Sequence, residues 1–150
     1  MSLEQNITTA LKEAMKAKDK EALDALRAIK SALLLAKTET KDKAITELDE
    51  IKLLQKLVKQ RQESATIFRA QNREDLAMPE ESQAALIQQF LPEPLDENAV
   101  AQEVEAIITK LGANSMKDMG KVMGMANAKM AGRVDGKTLS AIIKNKLGSA

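Results

Sequence analysis

Seven residues in the C-terminal part of the chain have the types and spacing for one kind of chemistry, contact with an anionic backbone. They are Lys117, Gly120, Lys121 and Gly124, followed by Arg133, Lys137 and Lys144. At about 100° per residue, Lys117, Gly120, Lys121, Gly124 and Ala128 fall on one side of a helix, nearly opposite Met116, Met119, Met123, Ala126 and Met130. The methionine side is expected to be core. The other side carries two glycines that each cost about 1 kcal/mol relative to alanine inside a helix. They leave bare backbone beside positive charge, where a phosphate chain or another helix could approach closely. Lysine and arginine make sequence-blind contacts to nucleic-acid phosphates, and a helix start at Asp135-Gly136 could offer free N–H groups to one of them. With aromatics at 1% of the chain, stacking on single-stranded bases is disfavoured and shape recognition of folded RNA is the better version. The same residues are also compatible with solvated helix faces whose glycines admit a neighbouring helix. On residue pattern alone both stand open.

Other chemistries find little support. The chain has no cysteine and no histidine, which removes disulfides, thiolate nucleophiles, zinc fingers and the usual catalytic triads. Its carboxylates occur mostly as helix-surface pairs such as Glu80-Glu81 and Glu103-Glu105, with no sign of the convergence that general acid–base catalysis needs. A serine nucleophile activated by lysine would call for a Gly/Ser-rich oxyanion loop, which is absent. Gly120-Lys121-Val122 is not a phosphate-binding loop. No catalytic residue, no metal ligand and no cofactor is assigned.

The elements that must position the basic residues are helices. Apolar residues make up 44% of the 150, charged residues 30%, and Gly and Pro are few, a helical composition. Ser2 with Gln5 and Thr46 with Asp49 form capping boxes, and Asp19, Asp96 and Asp135 are single N-caps. The first helix ends near Lys18. A second carries Ala22, Leu26, Ile29, Leu33 and Ala36 as far as the polar run Lys37–Lys43, the expected loop. A third carries Leu48, Ile51, Leu54, Val58, Ala65 and Phe68 to about Gln71. Pro79 suits the first position of a fourth helix, whose apolar face is Leu86, Ile87, Phe90 and Leu91. Pro92-Glu-Pro94 is the clearest boundary. Beyond it, Val100, Val104, Ile107, Ile108 and Leu111 mark a helix closed by Gly112. Ser115 with Asp118 then reads as a capping box, and Gly132 suits a positive φ before the last helix, which buries Leu139, Ile142, Ile143 and Leu147. Arg27, Lys30 and Ser31, with Lys56, Lys59, Arg61 and Ser64, could extend a basic surface, but acidic residues are interspersed and weak surface pairs are expected.

Net charge is +1, unevenly spread. Residues 112–150 hold seven basic and two acidic side chains, a sum of +5, against −4 for the remainder. An anionic partner for the C-terminal module follows from this. No apolar run approaches a membrane span and no basic-then-apolar signal pattern opens the chain, so a cytoplasmic protein is expected.

Met119-Gly-Lys-Val-Met-Gly124, followed by Gly132-Arg-Val-Asp-Gly-Lys137 and the Leu139-to-Leu147 helix, resembles the signature of the GatB/YqeY family. Leu26-Arg-Ala-Ile-Lys-Ser31, Arg73-Glu-Asp-Leu76 and Phe90-Leu-Pro92 extend the resemblance along the whole chain. Val134, where the family usually has a small residue, and Phe90, where it often has tyrosine, are departures. The resemblance is to a stand-alone YqeY-like protein, and the C-terminal part is similar to the tail domain of the B subunit of the tRNA-dependent amidotransferase. It implies an all-helical protein whose C-terminal module, in the amidotransferase, touches the body of tRNA while glutamine-dependent amide transfer, a carbon–nitrogen ligase activity, takes place in other domains of that enzyme.

The combined expectation is an all-α protein with a four-helix N-terminal region, 1–91, and a small three-helix C-terminal module, 95–150. Its function would be non-catalytic binding of tRNA or another folded RNA through Lys117, Gly120, Lys121, Gly124, Arg133, Lys137 and Lys144. An amidotransferase or tRNA synthetase is a possible protein partner; no membrane and no DNA are expected. The alternative is a helical adaptor for protein partners, without RNA affinity, whose glycine face receives a partner helix.

Overall fold

The computed structural model describes residues 2–40 and 44–148. Among these residues helices are the only regular elements: α1 (Leu3–Ala17), α2 (Lys20–Glu39), α3 (Glu47–Ala70), α4 (Glu74–Gln88), α5 (Glu97–Leu111), a 3₁₀ turn (Met116–Asp118), α6 (Met119–Lys129) and α7 (Gly136–Gly148). The chain divides into two compact units, Met1–Leu91 and Pro92–Ala150.

Most helix boundaries follow from side chains that satisfy orphan N–H groups. The Ser2/Gln5 and Thr46/Asp49 capping boxes form in both directions, and Asp19 and Asp96 accept from the N–H of Ala22 at 3.1 Å and of Ala99 at 2.7 Å. Lys18, Gly112 and Gly132 close their helices or turns at positive φ, which frees the next segment to reverse.

In unit 1, α2 is the central element and packs on α1, α3 and α4. Its Ala25, Leu26 and Ile29 meet Ile7 of α1, Leu54 and Val58 of α3, and Ile87 of α4 in one core. Each of these leucine, isoleucine and valine side chains contributes roughly 1.5–3 kcal/mol on burial. Helix α2 runs three residues past Ala36, to Glu39, because Lys37 reaches Glu4 of α1 in an ion pair rather than opening a loop. The rest of the expected loop, 41–43, lies outside the described residues. Leu48, assigned to the core stripe of α3, stays 41% exposed at the helix start.

Pro79 does not open α4. The helix starts five residues earlier at Glu74, after Asn72 reverses the chain at φ 58°. Glu74 and Asp75 suit the positive end of the helix dipole, and a proline at the sixth position forfeits the single backbone bond to Asp75. Arg69 of α3 spans the proline. Its Nε and Nη2 both bond Glu74 at 2.9 Å and its Nη1 pairs with Glu81, so one guanidinium holds α4 on both sides of the proline.

Unit 2 is a bundle in which α5, α6 and α7 each touch the other two. Val100, Val104, Val122, Leu139 and Ile143 are its deepest residues, joined by Ile107 and Leu147. The capping box expected at Ser115 does not form. Ser115 makes no side-chain cap bond, a 3₁₀ turn precedes α6, and Asp118 Oδ2 accepts from the Asn114 N–H at 3.2 Å instead. A 3₁₀ turn advances each residue by about 120° rather than 100°, which rotates Met116 out of the core line, to 43% exposure. Val122 takes the centre of the buried face, with Ala126 and Met130, while Met119 and Met123 are half-buried at its flank.

Asp135 caps α7 as expected. Its Oδ2 accepts from the Thr138 N–H at 3.1 Å, and hydrogen bonds from Thr138, helped by the charge of Lys137, hold the carboxyl below the usual aspartate range. Because the folded-state pKa is depressed, the stabilisation is complete above the unfolded-state value and is lost as the pH falls through the folded-state one. Replacing Asp135 with alanine is expected to cost about 1 kcal/mol at neutral pH. In urea melts across a pH series, the gap between wild type and variant should close below the ordinary aspartate range; a gap constant with pH would exclude a carboxylate cap.

Candidate basic face of unit 2

Helices α6 and α7 carry the candidate residues. Lys117 stands in the 3₁₀ turn, which touches both α6 and α7. Gly120, Lys121 and Gly124 lie on the outer side of α6, Arg133 in the turn before α7, and Lys137 and Lys144 on α7; all seven are exposed. Two ion pairs orient the helices around α5. Lys129 of α6 pairs with Glu103 at 2.6 Å and Lys146 of α7 with Glu105 at 3.6 Å. Each lysine therefore marks the flank of its helix that faces α5. Helical spacing puts Lys137 and Lys144 on the opposite flank of α7, about 10 Å apart along its axis, and puts Gly120 on the corresponding flank of α6, with Gly124 beside it. The 3₁₀ turn, Gly120, Gly124, Lys137 and Lys144 thus belong to the side of unit 2 made by α6 and α7, while Lys121 lies nearer the α5 side.

The basic residues are not equivalent. Lys117, Lys121, Lys137 and Lys144 form no salt bridge with a described residue, whereas Lys129 and Lys146 are neutralised by α5. The pair Glu103 and Glu105 is not a plain surface doublet: the two carboxylates serve two different helices. Arg133 has a structural task. Its Nε donates to the Glu93 carbonyl at 2.9 Å, while its own carbonyl accepts from the Leu95 N–H at 2.8 Å. Helical spacing did not separate Arg133 from the lysines; its place directly after Gly132, in the tight turn, was the available signal. The start of α7 does not offer an open anion site either, because the ionised Asp135 carboxylate stands at its N-terminus and would repel a phosphate.

The glycines have a clear environment. A Cβ at Gly120 or Gly124 would meet no atom within 4 Å, so neither glycine is there to admit another helix of unit 2, and neither has positive φ. Their propensity cost is uncompensated inside that unit.

In the N-terminal unit Arg27, Lys30 and Lys56 are likewise exposed and form no salt bridge with a described residue, while two other basic residues are engaged. Arg61 is committed between helices, donating to Gln83 Oε1 at 3.1 Å and the Leu57 carbonyl at 3.3 Å, and Lys59 lies 4.0 Å from Glu63. A crevice beside α1 and α2, lined by Glu4, Ile7, Lys30, Leu33, Leu34 and Lys37, holds about 10 Å³, room for no more than one water. Among the described residues no polar or charged side chain is buried, no group of three or more potential metal ligands occurs, and no helix is long and apolar enough to cross a membrane.

Comparison with known proteins decides the family. The profile described as Yqey-like protein matches residues 4–147. The chain belongs to the YqeY-like family. An uncharacterized protein of Schizosaccharomyces pombe is similar to it at 35% identity over 92 residues, 61% of this chain and 74% of that one. The mitochondrial protein named Altered inheritance of mitochondria protein 41 matches from Pyrenophora tritici-repentis, 30% identical over 93% of this chain and 77% of its own. Its Saccharomyces cerevisiae counterpart is 28% identical over 91% and 76%. These YqeY-like relatives correct one expectation. A cytoplasmic location was inferred from the lack of a membrane span and signal pattern, yet the relatives with a compartment in their names are mitochondrial. Composition and span length report on membrane insertion and leave the compartment open.

One substitution, made at two glycines of unit 2, should act with opposite sign. Gly120→Ala is expected to raise stability by about 0.5–1 kcal/mol, since the site is helical and open. Gly112→Ala is expected to lower it by about 1 kcal/mol, because Gly112 closes α5 at φ 66°. Chemical denaturation of both variants checks this, and a destabilised Gly120→Ala would mean that the face is filled in the native protein.

Proposed function

We propose that the α6–α7 side of unit 2 binds the backbone of folded RNA, with tRNA as the candidate, and that the protein is a non-catalytic accessory related to glutamine-dependent amide transfer on tRNA. The observation that carries this reading is three exposed lysines without a described acidic partner, Lys117, Lys137 and Lys144, on the side that also bears Gly120 and Gly124, with a fourth, Lys121, on the outer face of α6 toward α5. A rigid helix pair with bare backbone between charges suits a phosphate chain recognised by shape. Lys117, Lys121, Lys137 and Lys144 are the phosphate contacts. Gly120 and Gly124 allow close approach, and Arg133 chiefly holds the turn that presents Lys137.

Fluorescence anisotropy of labelled total tRNA over a salt series tests the proposal. Four phosphate contacts predict a log–log slope of about −3 to −4, and a Lys117→Glu/Lys121→Glu variant with unchanged helicity should lower its magnitude by about 2 while weakening binding. No binding at low salt would sink the proposal. Salt-insensitive capture of a purified amidotransferase or tRNA synthetase would favour the protein adaptor instead.

A further inference from the structure

Unit 2 concentrates the oxidisable sulfur of the chain. Five of the eight methionines lie between Met116 and Met130, and the chain has no cysteine, tryptophan, tyrosine or histidine. Methionine is therefore the side chain on which a mild two-electron oxidant would act. The two units use their methionines differently. Met15 and Met78 of unit 1 are 54% and 58% exposed and take no part in its core. In unit 2, Met119, Met123 and Met125 are half-buried against the core cluster, Met130 is within it, and Met116 is exposed in the 3₁₀ turn that touches α7.

We infer that Met119, Met123 and Met125 form a reversible oxidation site for hydroperoxides through which oxidant loosens unit 2 and spares unit 1. In the step, a thioether lone pair attacks one peroxide oxygen, the O–O bond breaks and an S–O bond forms. Sulfur is oxidised by two electrons, and the peroxide is reduced to water or an alcohol as the leaving oxygen takes up the proton. Half-burial is what gives the step its effect. The three residues keep part of their surface in solvent, yet their side chains supply apolar contact that a polar sulfoxide gives up. A unit of about 60 residues has little stability in reserve. The same product on Met15 or Met78 stays in solvent and removes no core contact. The inference is independent of what the basic face binds.

The test treats the full chain with hydrogen peroxide, maps sulfoxides by peptide mass spectrometry and follows backbone hydrogen exchange. Exchange in α5, α6 and α7 should rise several-fold once Met119, Met123 and Met125 are oxidised, with α1 to α4 unchanged. Methionine sulfoxide reductases with a dithiol should restore the slow exchange. The Met119→Leu/Met123→Leu/Met125→Leu variant should keep slow exchange in peroxide. Should that variant fail to fold, Met15→Leu/Met78→Leu carries the test, since peroxide must still loosen its unit 2. Unchanged exchange with the three sulfoxides formed would overturn the inference. So would their failure to form under conditions that convert Met15 and Met78.

Discussion

The presentation of the α6–α7 side depends on a two-way link between Arg133 and the segment that leads into α5. Leu95 gives its N–H to the Arg133 carbonyl and Arg133 returns Nε to the Glu93 carbonyl. Residues 38 and 40 apart in sequence are joined by these two bonds, one of them charge-assisted. The link fixes the turn in which Gly132 adopts φ 76°, and that turn sets where Asp135 can cap and so where α7 begins. Among the described residues unit 2 buries no polar side chain, so its core holds no directional bond of its own. The directional bonds at Arg133 and the two α5 carboxylates supply the register that aliphatic packing lacks.

Much of this was legible in sequence, because caps are local. Ser2, Asp19, Thr46, Asp96 and Asp135 each bond a backbone N–H within three residues, and those helix starts stand where their side chains put them. The departures arise where distant or non-α geometry wins. Pro79 looked like a helix start by propensity, but Arg69, from another helix, holds Glu74 and Glu81 and carries α4 through it. Met116 was placed in the core by a 100° period that the 3₁₀ turn does not obey. Within the candidate face, the exposure of the lysines and glycines follows from helical period. The separation of Arg133 from the other cations rests on a partner 40 residues away and could not be read from spacing.

Membership in the YqeY-like family rests on a match over residues 4–147, both units included. The relatives named for altered inheritance of mitochondria also align over nearly the whole of this chain. The family resemblance therefore does not reduce to the glycine–lysine words of unit 2. Unit 1, with its own core, belongs to the matched span as fully as unit 2 does.

The clasp of α3 and α4 by Arg69 bears on how the chain reaches its fold. These two helices make the most extensive helix–helix contact in the protein, and only Gln71, Asn72 and Arg73 separate them. The entropy of closing so short a connection is small, and contacts between sequence neighbours are the ones that form fastest. A hairpin assembled this early offers a ready apolar surface to α2, so the non-local closure of unit 1 becomes the docking of one preformed pair of helices on another rather than a search by four separate ones.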